Sequence, residues 1–473
     1  MTHPAIIQGG MGAGVSNWFL ARAVAETGQL GVVSGTALDV ILARRLQDGD
    51  PDGHMRRALS CFPVPSLAQR IVEEHCIPGG RAASQPFRRI PAYAAEPSVE
   101  SQQLTVVANF VEVFLAKEGH DGVVGINYLE KIQMPNLASL YGAMLAGVDY
   151  VCMGAGVPRE IPGILDRYTQ HQPASLRLLV EGATGDDDYR MTFDPTEVIG
   201  GGLPPLPRPL FLAIIASAVL AQTLAKKATG KVDGFVIEGP TAGGHNAPPR
   251  GLLQLSDSGE PIYGPKDDVD LKKIAALGVP FWLAGGYGEP PGLEKALALG
   301  AVGIQVGTAF ALCRESALTP ETKQTLIGAL RNGESEVFTD PVASPTGFPF
   351  KVARLEGSLS EREVYENRKR VCDLGYLRHV YRKPEGSLGY RCPAEPVNAY
   401  ERKGGKAEQT LGRKCLCNGL LANIGIPQCH ASGYVEKMLL TAGDDLKKLS
   451  PLVEQSGDSY SARDVVKYLL GSG

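Results

Sequence analysis

Short apolar runs ending in glycine or another small residue recur along the chain, and most are followed by a stretch of helical pattern. That alternation is the mark of a parallel sheet built from strand and crossover helix. Eight runs carry it: Ala5–Gln8, Leu30–Ser34, Val123–Asn127, Tyr150–Gly154, Leu210–Ala216, Gly234–Glu238, Pro280–Ala284 and Gly303–Val306. Eight such units suit closure into a barrel better than an open sheet. The expected fold class is therefore α/β, a (β/α)8 TIM barrel with insertions and a C-terminal extension.

Two segments interrupt the pattern. Residues 51–103 are rich in Pro, Arg and Ser and read as an insertion over one barrel end. Residues 176–209 read as a second insertion, in which Leu178–Glu181, the turn-prone Gly185–Asp188 and Tyr189–Phe193 resemble a hairpin. Past residue 333 the alternation stops. The expected division is a barrel over 1–333 and a cysteine-containing extension over 334–473.

Composition narrows the class. With 44% hydrophobic and 21% charged residues a sizeable core can form, and global disorder is not expected. A net charge of -4, with only short basic clusters such as Arg368–Arg370, gives no footprint for nucleic acid. The most apolar stretch, 209–225, is broken by Ser217, Gln222 and Thr223 and is too short to span a bilayer, so no membrane partner is expected. Met1-Thr2-His3-Pro4 runs straight into the first strand without the basic and apolar regions of a signal peptide. The expected location is cytoplasmic, and nine cysteines then read as reduced thiols or metal ligands.

Three glycine-rich motifs follow strands, the second of them a pair of turns. Gln8-Gly9-Gly10-Met11-Gly12 comes directly after the first, where glycines let the backbone approach a flat ligand and Met11 offers a soft apolar contact. Leu283–Gly286 and Gln305–Thr308 end the seventh and eighth strands. In a (β/α)8 barrel the loops there commonly hold a phosphate, because backbone N–H groups and helix N-termini offer partial positive charge. No strand-linked G-x-G-x-x-G with a following acidic residue is present, which argues against a dinucleotide fingerprint. The third motif, Glu238-Gly239-Pro240-Thr241-Ala242-Gly243-Gly244-His245, puts a histidine at the mouth of the sixth strand, beside any bound ring, where it can serve as acid, base or anion stabiliser.

Ile6–Gly12, Glu238–His245, Ala284–Gly286 and Gln305–Thr308 together resemble, in order and over roughly residues 4–330, the motifs of nitronate monooxygenases, formerly called 2-nitropropane dioxygenases. The resemblance implies tightly bound FMN and oxidation of alkyl nitronates, and of nitroalkanes in some members, with O2. It further implies flavin contacts from Gly10, Met11, Gly12, Asn127, Gly243, Gly244, Gly285, Gly286, Gly307 and Thr308, with His245 as the active-site histidine. The same flavin site is shared with NAD(P)H-dependent enoyl reductases, including trans-acting ones of fatty acid and polyketide synthesis. Under that alternative an acyl carrier protein becomes a partner; otherwise the expected partner is a small-molecule substrate, with a homodimer left open. Pro248-Pro249-Arg250-Gly251, both insertions and the extension depart from the compact pattern and bear on substrate access.

Within the extension, Cys392, Cys415, Cys417 and Cys429, with Cys372 and His430 nearby, could offer thiolates to zinc or an iron–sulfur cluster. The spacing C-x22-C-x-C-x11-C is standard for neither, and reduced structural cysteines are the competing reading. A third function class, a binding module with a structural flavin or none, is disfavoured by the position of His245.

Overall fold

The computed structural model describes residues 3–457 and 459–471. Eight parallel strands close into a barrel: β1 (Ile6–Gln8), β2 (Leu30–Ser34), β3 (Val124–Leu129), β4 (Tyr150–Gly154), β5 (Leu210–Ile215), β6 (Gly234–Glu238), β7 (Phe281–Ala284) and β8 (Gly303–Val306). Each pairs with its sequence neighbours, and β8 returns to β1 with Gln8 opposite Val306. This is the (β/α)8 TIM barrel expected from the alternation.

Side chains alternate along the strands, one facing the barrel axis and the next the helices. Ile7, Leu30, Val32, Tyr150, Cys152, Leu212, Val236, Trp282 and Ala284 fill the interior as one cluster. Phe211, Ala213, Phe235, Ile237, Phe281 and Leu283 pack outward into the larger core shared with the helices. Trp282, the largest fully buried side chain, has its indole N–H satisfied by the carbonyl of Pro4 at 2.8 Å. A lower layer so tightly filled pushes any ligand site up to the mouth at the C-terminal strand ends.

The two insertions differ from expectation in detail. Residues 51–103 carry helices His54–Ser60 and Pro65–His75 and the first turn of the 19-residue helix Val99–Lys117. In 176–209 the arm Arg190–Phe193 pairs not with Leu178–Glu181 but with Ala174–Arg177. Val180 and Glu181 instead join His379–Arg382, which forms a hairpin with Leu388–Arg391. The reason is charge as well as register: Glu181 accepts from His379 Nδ1 at 2.7 Å and from Arg391 at 2.6 Å, partners invisible to a local reading.

Segments between residues 337 and 445 pack across the mouth. Val337–Asp340 and Phe350–Ala353 form a two-stranded ladder, and Ala353 N–H donates to Leu440 O at 2.9 Å. The buried Lys351 ammonium donates to Asp444 at 2.7 Å, fixing the 440–445 segment beside that ladder. Among the described residues, no helix is long and apolar enough to cross a membrane.

Candidate active site

Three of the inward-facing residues one step above the filled interior are polar. Asn127 on β3, Glu238 on β6 and Gln305 on β8 occupy the positions two residues beyond Gly125, Val236 and Gly303, and all three line the cavity at the mouth. None of the three side chains has a hydrogen-bond partner among the described residues. All three are half-buried, so together they offer an unpaired polar floor to a ligand in the cavity.

The mouth holds two adjoining cavities. One is lined by Gly9–Gly12, Ala284, Gly285, Val306, Gly307, Thr308 and the segment 440–443 with Asp445. The other is lined by Ala13, Thr36, Ala37, Asn127, Gly154, Ile214, His245, Phe350 and Tyr376. Gly10, Gly12, Glu238, Gly243, Gly244, Gln305, Leu420 and Thr441 line both, so the two spaces meet over β6 and β8. Of the ten backbone-type contacts suggested by sequence, nine line these spaces. Gly286 does not; it is the second residue of a turn in which Gly285 and Gly286 both take φ near +80°, a conformation that favours glycine.

Glycine is required here for close approach as well. A Cβ on Gly10 would sit 2.4 Å from Cβ of Asn127, and one on Gly243 would sit 2.9 Å from the backbone of Ala442. At Gly244, with φ +81°, a Cβ would meet nothing within 4 Å: it would stand in open space where the two cavities join. Ala37 and Ala155 also line the second cavity with φ of 60° and 54°, strained values for residues with a Cβ.

His245 stands at the wall of the second cavity. Its Nε2 is 2.7 Å from Ser344 Oγ, which in turn meets Thr346 Oγ1 at 2.8 Å. Its ring lies edge-on to Phe350 at 4.9 Å, and its backbone bridges to the same residue. Burial, with a smaller contribution from the nearby Lys131 ammonium, pushes its pKa down to about 4. Lys131, held over the Phe348 ring at 3.3 Å, is itself pushed down to about 8 by burial. These surroundings favour the neutral imidazole near neutral pH, with Nδ1 lacking a partner among the described residues.

The extension supplies much of the roof, which sequence reasoning did not assign. Gly244 N–H donates to Thr441 Oγ1 at 2.8 Å, Gly443 N–H to Thr308 Oγ1 at 3.0 Å, and Asp444 N–H to Thr241 O at 3.0 Å. Tyr376, Leu377, Leu416, Cys417 and Leu420 close the second cavity from the same part of the chain. One signal was available: Thr441-Ala442-Gly443 repeats Thr241-Ala242-Gly243, and the two turns pack against each other. Pro248–Gly251 lies outside the lining; Arg250 ties that loop down through Asp267 Oδ1 at 2.8 Å and Ala216 O at 2.9 Å.

The cysteines divide differently from their spacing. Cys372, Cys392, Cys415 and Cys417 line a small separate cavity with Asp373 and Glu395, and Cys392 donates to Cys372. Cys429 is elsewhere, its thiol donating to Ser84 O, and His430 pairs with Glu436. Among the described residues no group of three or more His, Cys, Asp or Glu is arranged to hold a metal ion, and all nine cysteines are free thiols.

Residues 209–342 match the nitronate monooxygenase family. The chain is 39% identical over 98 residues to a probable nitronate monooxygenase of Bacillus subtilis (strain 168), covering 21% of this chain and 26% of that protein. It is 33% identical over 183 residues to a nitronate monooxygenase of Paraburkholderia phytofirmans, covering 38% and 47% of the two chains. Over 143 residues it is 30% identical to an octahydro-1H-indene-4-carboxyl-CoA dehydrogenase of Mycobacterium tuberculosis, covering 30% and 36%. In each case the chain spans less than half the length of the relative it matches.

Proposed function

We propose that this chain, whose residues 209–342 match the nitronate monooxygenase family, is an FMN-dependent oxidoreductase that oxidises alkyl nitronates with O2. The observation that carries the proposal is the pair of joined cavities, one bounded by glycine turns and the other walled by His245, above a floor of unpaired polar side chains. In this reading the phosphate lies against the N–H groups of the turns at Gly285 and Gly307–Thr308. No Lys or Arg lines either cavity, so the anion is held by backbone dipoles rather than by a side-chain charge. The ring system lies over Asn127, Glu238 and Gln305, with Gly10 to Gly12, Gly243 and Gly244 allowing its approach. When bound, FMN supplies the electron-transfer chemistry that no side chain here can provide.

The residues of the chain then have separable tasks. Neutral His245 presents Nδ1 to the substrate, fixed in orientation by Ser344, and can hydrogen-bond a nitronate oxygen or take the proton of a nitroalkane. Phe350, Leu377, Leu416 and Leu420 exclude water from the same space. Reduced thiols throughout are compatible with a cytoplasmic setting.

A second reading rests on the apolar wall of the His245 cavity, formed by Leu129, Ile132, Ile214, Leu377, Leu416 and Leu420, and on the similarity to a dehydrogenase whose name specifies an acyl-CoA. A wall of that kind suits the chain of an enoyl thioester reduced at the expense of NAD(P)H, delivered on coenzyme A or a carrier protein. The deciding experiment is a parallel assay of alkyl nitronates with O2 and of enoyl thioesters with NADPH, together with anaerobic addition of NADPH to the flavin-loaded protein. Rapid bleaching by NADPH with no nitronate turnover replaces the first reading with the second. Protein that takes up no FMN removes both.

A further inference from the structure

Glu238 has no chemical task in either reading beyond its place in the floor, yet its surroundings are unusual for a carboxyl group. It ends β6 on the face that points to the barrel axis, one layer above the buried Val236, and borders both cavities. No hydrogen bond or ion pair reaches its side chain among the described residues. The titratable side chains that share the cavities with it are Tyr128, His245, Tyr376, Cys417 and Asp445, and none is a cation near neutral pH. An isolated carboxylate at such a place, covered by a ligand and without a counter-charge, is strongly disfavoured; the group keeps its proton instead.

We propose that Glu238 is a neutral carboxylic acid and donates that proton in a hydrogen bond to an acceptor atom of the ring bound where the two cavities meet. The assignment rests on the flavin reading above and adds to it the group that recognises the ring's acceptor edge. A protonated carboxyl adds a donor to a floor whose other members, Asn127 and Gln305, can turn either an oxygen or an amide toward the ligand. Burial pushes the Glu238 pKa up to about 8, in line with that state.

Affinity must then fall once the proton is lost. Other ionisations near that pH are few. Burial holds Tyr128, Tyr376 and Cys417 neutral beyond it, and His245 is neutral well below it. Asp445 is raised by burial and packs against Thr308 near the phosphate turns, and Lys131 titrates at about 8 beside His245, outside the cavity lining. Variants of these two separate their effects from that of Glu238.

The test is FMN affinity, read by quenching of flavin fluorescence on titration with apoprotein at pH 7, 8 and 9, for wild type, Glu238→Gln, Glu238→Ala, Asp445→Asn and Lys131→Met. Wild type, D445N and K131M are expected to lose about fivefold in affinity between pH 8 and pH 9 as the acid ionises. E238Q, whose amide still donates, should bind within about threefold of wild type at pH 7 and show no alkaline loss, and E238A should bind about tenfold more weakly at pH 7. An E238Q that keeps the wild-type pH profile, or that is as weak as E238A at pH 7, overturns the proposal. The infrared carbonyl band of a neutral carboxylic acid, taken as wild type minus E238Q at pH 7, is read alongside. Its absence also overturns the proposal, whereas a wild type that binds no FMN at any pH, with that band present, overturns the flavin reading.

Discussion

His245 Nε2 lies 2.7 Å from Ser344 Oγ, and the two residues are separated by 99 positions in the chain, one at the end of a barrel strand and the other beyond the last barrel strand. The imidazole is therefore oriented from outside the barrel, through a hydroxyl that is itself completely buried. If orientation matters to turnover, the loss of that hydroxyl has to register in rate. Ser344→Ala should lower kcat by several-fold while FMN affinity is unchanged, and Ser344→Thr, if accommodated, should restore part of the loss. Steady-state kinetics with flavin titration would measure both.

Replacing His245 separates its own tasks. His245→Ala should leave FMN bound, because the Gly10–Gly12, Gly285 and Gly307–Thr308 turns that would hold most of the cofactor follow other strands, and should reduce turnover by about 100-fold if the ring moves a proton. His245→Asn retains a hydrogen-bond donor but no base, so oxidation of nitroalkanes should collapse while that of preformed nitronates survives. Two variants with full activity on every substrate would make the histidine structural.

The acid limb of the rate profile follows from the lowered pKa of the same ring. The neutral form is complete above the ordinary histidine range and is lost as pH falls through about 4. Activity that needs neutral His245 should thus stay level through pH 6 and decline only near pH 4. Lys131→Met removes the smaller of the two causes and should move the limb upward, though not to the ordinary value of 6.5, because burial persists. A profile that bends near 6.5 in the wild type would contradict the burial of the ring.

Two neighbouring glycines should fail in opposite ways. Gly243→Ala forces a methyl to 2.9 Å from the Ala442 backbone, a clash worth about 1–3 kcal/mol that should lower the melting temperature. Gly244→Ala meets no atom and costs about 1 kcal/mol for its left-handed backbone, but its methyl occupies the cavity junction. It should fold nearly normally and bind FMN poorly. Melting curves and flavin titration of the two proteins, side by side, would show the contrast.

Thiol reactivity offers a test of the cysteine cavity. The hydrogen bond from Cys392 lowers the Cys372 thiol, whereas burial raises those of Cys415 and Cys417. Timed alkylation of the native protein followed by peptide mass mapping should modify Cys372 ahead of Cys415 and Cys417.

Much of the barrel was legible because its signal is local: apolar runs of strand length, each with a small residue at its end, fix both the strand and the turn after it. The turns at Gly10, Gly285 and Gly307 were legible for the same reason. Glu238 was in view within its motif but without a task, since whether a strand-end carboxyl points to the axis depends on the register of Val236 inside a closed barrel. The roof was legible only through the repeat of Thr241-Ala242-Gly243 at Thr441-Ala442-Gly443. Thr441, Tyr376 and Ser344 reach the mouth through pairings such as Ala353 with Leu440, which no periodicity announces. The cysteines show the same limit: spacing grouped Cys429 with the others, while the fold replaces it with Cys372.

The hydrogen bond from Gly443 to Thr308 joins residues 135 positions apart. A ribosome that has already delivered every barrel strand has therefore not yet delivered the segment that covers the mouth. During synthesis the nascent barrel presents its polar floor to bulk water until the later segment arrives and docks. Closure of that mouth then becomes one of the last events in the maturation of the chain, and a translation product arrested soon after β8 would carry the glycine turns without the segment that roofs them.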